Sequence, residues 1–165
     1  MIQANIVHTL ADLIKKLWVK KISIIHPYLE SRRSEIDAGL YPKNHLWGID
    51  ELEKSNKFQL KFLKTNEIKI PSLFEKLLDR SIFRNSPGTR AELSAYFASK
   101  SSDFIYSVCG PLGSTKLFPN KVLAWTFKTQ KSDNRSLQLA YRKNQLNKSA
   151  GFFCLTPSAE NYFKQ

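Results

Sequence analysis

Gly39, Pro42, His45, Trp47 and Gly48 crowd into one short stretch, AGLYPKNHLWGIDELEK at positions 38–54. Gly39 and Gly48 permit backbone conformations closed to other residues and let a ligand approach the main chain. His45 offers a proton donor, a hydrogen-bonding group for a sugar or phosphate, or an ordinary loop histidine. Trp47 is a stacking platform or a packing residue. Two readings of the stretch stand: a loop and its helix, or the place where a ligand crosses the top of a sheet.

Other residues extend the second reading. Gly110 and Gly113 flank the end of an apolar run, where bare backbone would line a cleft. Trp125 and Lys128 close another run, and Lys131, Arg135, Arg142 and Lys143 continue it as a basic stretch. Lys76, Arg80 and Arg84 step by four along a predicted helix. A phosphate-attracting cleft edge and a solvated basic face both account for these cations. His26, at the end of the first apolar run, reads as a satisfied structural histidine. Three histidines without a cluster make neither a catalytic triad nor a metal site. The dinucleotide glycine fingerprint and the phosphate-binding loop are both absent, and no cofactor is expected.

The elements that must position these residues follow from periodicity. Ile6, Leu10, Leu13, Ile14 and Leu17 recur at three- and four-residue steps, which predicts an amphipathic helix over 3–19. ISIIHPYL is a first strand, followed by a loop over 29–43 and a helix from Asn44, as N-cap, to Ser55. FQLKFLKT is a second strand with Phe58, Leu60 and Phe62 inward. Pro71 opens a helix whose apolar face is Leu73, Phe74, Leu77, Leu78 and Ile82. Thr89 and Glu92 form a capping box for a helix burying Leu93, Tyr96 and Phe97. DFIYSVCG, KVLAWTF and GFFCLT supply three more strands, with a basic helix over 134–148 before the last and a short helix from Thr156 after it.

Strands alternating with helices predict an α/β fold. The expected form is a doubly wound, mainly parallel Rossmann-like sheet of about five strands, with helices on both faces and the amphipathic helix preceding it. Ligands of such sheets bind at the C-terminal strand ends. The net charge of +12 is concentrated in residues 57–90 and 116–148, which suits an anionic partner or a solvated basic face. Cys109 and Cys154 sit in apolar runs and read as reduced, buried thiols of a cytoplasmic protein. No membrane span or signal peptide is evident.

AGLYPKNHLWGIDELEK resembles the opening of GT-B-fold glycosyltransferases of the group-1 class, where a glycine-containing loop runs into a helix. SSDFIYSV, KVLAWTFK and SAGFFCLTPSAENYF resemble later strands of the same N-terminal half, so the resemblance covers about residues 21–165. It implies a nucleotide-sugar-dependent transferase of glycan or polysaccharide biosynthesis, with residues 1–20 as a leading helix and 21–165 as the acceptor-binding domain. His45 would then be the proton-transfer group, and Gly39, Trp47, Gly48, Gly110, Trp125 and Lys128 would contact substrate. The second, donor-binding half and its paired glutamates are not in these residues, and Trp125 stands where such families often place a histidine. The expected partners are a glycan or lipid-linked acceptor, and a sugar nucleotide held by another domain or chain. An anionic surface at the inner membrane face is a further expected partner. The competing reading is a non-catalytic basic module or regulatory subunit, although the chain lacks the aromatic sheet motifs of common RNA-binding modules.

Overall fold

The computed structural model describes residues 19–55, 57–83, 86–108, 110–126 and 147–154. It is an α/β structure built on a parallel sheet. The strands are β1 (Lys20–Ile25), β2 (Phe58–Phe62), β3 (Phe104–Ser107), β4 (Val122–Thr126) and β5 (Gly151–Cys154). Their spatial order is β2-β1-β3-β4-β5, and every neighbouring pair is parallel. Ile22 faces Leu60 on one side and Phe104 on the other, which fixes the register around β1.

Between the strands lie α1 (Leu29–Asp37), α2 (Ile49–Lys54), α3 (Ser72–Arg80) and α4 (Thr89–Ala98). The connection from β1 to β2 runs one way along the sheet, and that from β2 to β3 runs back past β1. Right-handed crossovers therefore put α1 and α2 on one face and α4 on the other. The buried clusters agree. Ile25, Ile105, Val122 and Ala124 meet Ala91 and Ala95 of α4 together with Leu112 and Phe118. Ile22, Ile24, Tyr106 and Val108 meet Leu29, Leu46 and Ile49 on the opposite face. Alternate residues of each strand serve opposite faces, so both clusters share the same few strands.

Several local expectations change. The segment expected to be a loop over 29–43 begins with α1. Leu29 and Ile36, seven residues apart, both pack into the cluster on that face, and Arg32 pairs with Glu35 at 3.1 Å. The helix expected from Asn44 to Ser55 is two pieces, a 3-10 turn over Lys43–Leu46 and then α2. Trp47 (φ 55°) and Gly48 (φ 78°) break it, because two consecutive left-handed residues cannot continue a right-handed helix. Gly48, not Asn44, precedes the helix.

Pro71 stands just before α3 rather than inside it. The capping box at Thr89 does not form. Instead Asp79 of α3 accepts from the Thr89 backbone N–H at 2.7 Å and its hydroxyl at 2.6 Å, capping α4 from outside. Glu92 turns away to accept from the backbone of Gly113 at 2.6 Å and Ser114 at 2.8 Å. The buried side of α4 is Ala91, Ala95 and Ala98, small residues that let the helix approach the sheet, while Tyr96 and Phe97 are exposed. The expected helix over 3–19, Cys109, nearly all of the basic helix over 134–148 and the helix from Thr156 lie outside the described residues.

Candidate functional site

Two cavities compete for the role of a site. The first is a cleft of about 370 Å³ at the C-terminal ends of β1 and β2, lined among others by His26, Ser31, Lys64, Thr65, Asn66 and Glu67. Its size falls within the ordinary range for small-ligand sites. The chain leaves β1 at Ile25, so His26 stands at the strand tip before Pro27 turns the backbone toward α1. The polar run Lys64–Glu67 leaves β2 in the same way.

His26 is half-buried. Its Nδ1 accepts from the Tyr28 backbone N–H at 3.3 Å, which leaves the proton of the neutral ring on Nε2. That Nε2 is shielded from solvent and has no hydrogen-bond partner among the described residues. The expectation of a satisfied structural histidine is therefore corrected: one nitrogen is satisfied and the other is not. Burial, followed by the nearby charges of Arg32 and Arg33, holds the imidazole below its ordinary pKa. The neutral ring thus keeps a buried Nε2–H donor with no acceptor among the described residues.

The arginines of α1 are tied back to the protein. Arg33 pairs with Glu53 of α2 at 2.6 Å, and Arg32 lies 4.0 Å over the Tyr41 ring. Arg90 of α4 grips Glu75 through both guanidinium arms, at 2.7 and 2.9 Å, and reaches the Asn66 carbonyl at 3.3 Å. That carbonyl belongs to the cleft wall.

The second cavity, about 380 Å³, lies on the sheet face that carries α1 and α2. Its lining includes Trp47, Gly48, Phe104, Tyr106, Trp125 and Phe153. The rings run in a chain: Trp47 to Trp125 at 5.5 Å, Trp125 stacked on Phe153 at 5.1 Å, and Tyr106 edge-on to Phe153 at 6.1 Å. The Trp125 indole N–H donates to the Tyr106 hydroxyl, which donates to the Trp47 carbonyl at 2.5 Å. This relay pins the left-handed Trp47. Burial raises the Tyr106 hydroxyl to about 12, partly offset by the bond from Trp125.

The structure thus brings Trp47, Gly48 and Trp125 together, in a pocket of apolar character. His45 stacks on Trp47 at 5.5 Å, meets the tilted Tyr41 ring at 5.2 Å and lines neither cavity. The reason is the unforeseen α1: the 38–48 stretch follows that helix rather than leaving β1 directly. Gly39 (φ 76°) and Gly110 (φ 124°) stand apart from both cavities. A methyl group at either would meet nothing within 4 Å, so they serve backbone conformation and not close approach. Lys76 and Arg80 are exposed on α3, and Arg84, Lys128, Lys131, Arg135, Arg142 and Lys143 lie outside the described residues.

No protein-family model, no curated protein and no solved structure matches the chain.

What sequence reasoning missed is the cleft wall at Lys64–Glu67. The signal was available: a polar run directly after a strand, in a fold whose ligands gather at strand C-termini.

Proposed function

We propose that the domain, with its Rossmann-like, doubly wound sheet, is the acceptor-binding half of a nucleotide-sugar-dependent glycosyltransferase of GT-B type. In this reading a further domain or partner chain holds the sugar nucleotide. The acceptor is a glycan or lipid-linked sugar seated in the cleft between the β1 and β2 ends, where Ser31, Lys64, Thr65 and Asn66 present hydroxyl, ammonium and amide groups to a hydroxyl-rich ligand. The observation that supports it most directly is the cleft itself, at the C-terminal ends of β1 and β2, whose lining includes His26, a histidine with one nitrogen lacking a hydrogen-bond partner among the described residues. His26 rather than His45 is the histidine at the acceptor, and it binds through a donated hydrogen bond instead of acting as the proton-transfer group expected of His45.

Calorimetric titration of the purified chain with acceptor oligosaccharides tests this. Binding is expected to weaken about tenfold in His26→Ala, the loss of one hydrogen bond to a buried site, and to be unchanged in His45→Ala. With sugar nucleotide added, the chain alone is expected to give no transfer, because donor and acceptor must be held in line within one cleft. Turnover by the chain alone would overturn the division of labour. Binding to bulk DNA with a steep salt slope, and none to any glycan, would favour the basic-module alternative.

A further inference from the structure

Helix α3 is built inside out. Leu73, Phe74 and Leu77 fall within one arc of about 100° on the helix, and this arc faces solvent: the three side chains are 82%, 55% and 63% exposed. Ile82, just past the helix, is 59% exposed. The side turned to the protein is instead the acidic one. Glu75 meets Arg90 and Asp79 caps α4, so both carboxylates of the helix are committed to the body of the domain. Lys76 and Arg80, together with Lys69 ahead of the helix, are exposed. The outer surface of α3 is therefore apolar along its middle and cationic along one flank.

An apolar stripe of this size costs solubility and adds little to the fold, since more than half of each side chain is left in solvent. We propose that it is the surface by which the protein lies on an anionic lipid bilayer, with Leu73, Phe74 and Leu77 entering the acyl boundary and Lys69, Lys76 and Arg80 at the headgroups. Charge selects this occupant. A facing copy of α3 would offer Lys76 and Arg80 no free carboxylate, since Glu75 and Asp79 are both committed to the domain, and a nucleic acid would set phosphates against leucine and phenylalanine. No helix among the described residues is long and apolar enough to cross a membrane. The contact stands independently of the glycosyltransferase reading.

Vesicle flotation of the full chain tests the surface, using pure phosphatidylcholine and phosphatidylcholine containing about a third phosphatidylglycerol, at low salt. Binding is expected to the anionic vesicles and to fall at least tenfold in the Leu73→Ser/Leu77→Ser variant. It should fall about 30-fold in Lys76→Ala/Arg80→Ala, from roughly 1 kcal/mol for each basic residue. All four side chains are exposed, so thermal melts of both variants should match the parent. Failure of the parent to bind anionic vesicles overturns the proposal. So does binding that survives both variants but vanishes when residues 1–18 are deleted, which would assign the contact to that segment. A concentration-dependent dimer abolished by the leucine variant would show that a second copy covers the stripe, and would also overturn it.

Discussion

The two faces of the sheet are built on different principles from the same strands. On the α4 face the strand residues Ile25, Ile105, Val122 and Ala124 are sealed, the helix approaches through alanines, and buried polar groups are used as staples. Ser23 bonds Ser102 at 2.7 Å, and the Glu92 carboxylate holds the turn after β3 by three donors. On the opposite face Phe104, Leu123 and Trp125 are only partly buried, Phe153 is 45% exposed, and aromatic rings replace small residues. The first face is packed to hold the fold together. The second keeps an apolar hollow, and its Trp125–Tyr106–Trp47 relay fixes a left-handed backbone position rather than closing a core.

Neighbouring residues of β3 test this contrast most strongly. Ile105→Ala, on the sealed face, should cost about 2–5 kcal/mol in denaturant unfolding, because the void cannot collapse between sheet and α4. Phe104→Ala, on the open face, removes a larger side chain yet should cost only about 2 kcal/mol, since Phe104 is only partly buried and already borders the hollow. Equal losses would erase the distinction. Glu92→Ala should follow at about 1–3 kcal/mol, by leaving the Gly113 and Ser114 N–H groups without their acceptor.

Tyr106→Phe sharpens the comparison from the open side. It removes one acceptor and one donor from the Trp125–Tyr106–Trp47 relay and should cost about 1–2 kcal/mol. Its signature lies in alkali. With the folded pKa raised to about 12, the parent keeps this contribution in full below pH 10 and loses it as pH rises from 10 to 12, and the variant should lack that limb. His26→Gln should have the smallest effect. The folded pKa of His26 lies below the unfolded one, so the parent loses stability as pH falls below about 6.5, until the folded group also titrates. Unfolding curves at pH 5 and 7 should differ less in the variant.

Strand positions were legible because β-branched and aromatic runs such as ISII and VLAW admit few alternatives, and alternation along Phe58–Phe62 identified its inward residues. The order of helices and strands gave the α/β class for the same reason. Two things were not legible. The charged stretch LESRRSEID hides a helix whose only sheet-facing signal is Leu29 and Ile36, and missing it displaced the 38–48 stretch onto the wrong end of the sheet. The periodicity of α3 showed an apolar stripe but not which way it faces, since orientation depends on Arg90 and Thr89, distant residues that claim its carboxylates. Trp47 and Trp125 meet in space for a similar reason, through a tyrosine on the strand between them.

The interior position of β1, between β2 and β3, has a consequence for how the chain is made. One edge of β1 pairs with β3, and the contacts that lock that edge span about eighty residues: Ser23 with Ser102 is separated by 79 positions, and Lys21 with Asp103 by 82. At a synthesis rate of about 5–20 residues per second, the ribosome needs roughly 4–16 s to supply the partner. For that interval KKISII is an apolar strand with an open edge, the kind of segment on which nascent chains aggregate. Lys20 and Lys21, both exposed in the finished sheet, stand at its entrance as charges that a second copy of the strand would have to bring together.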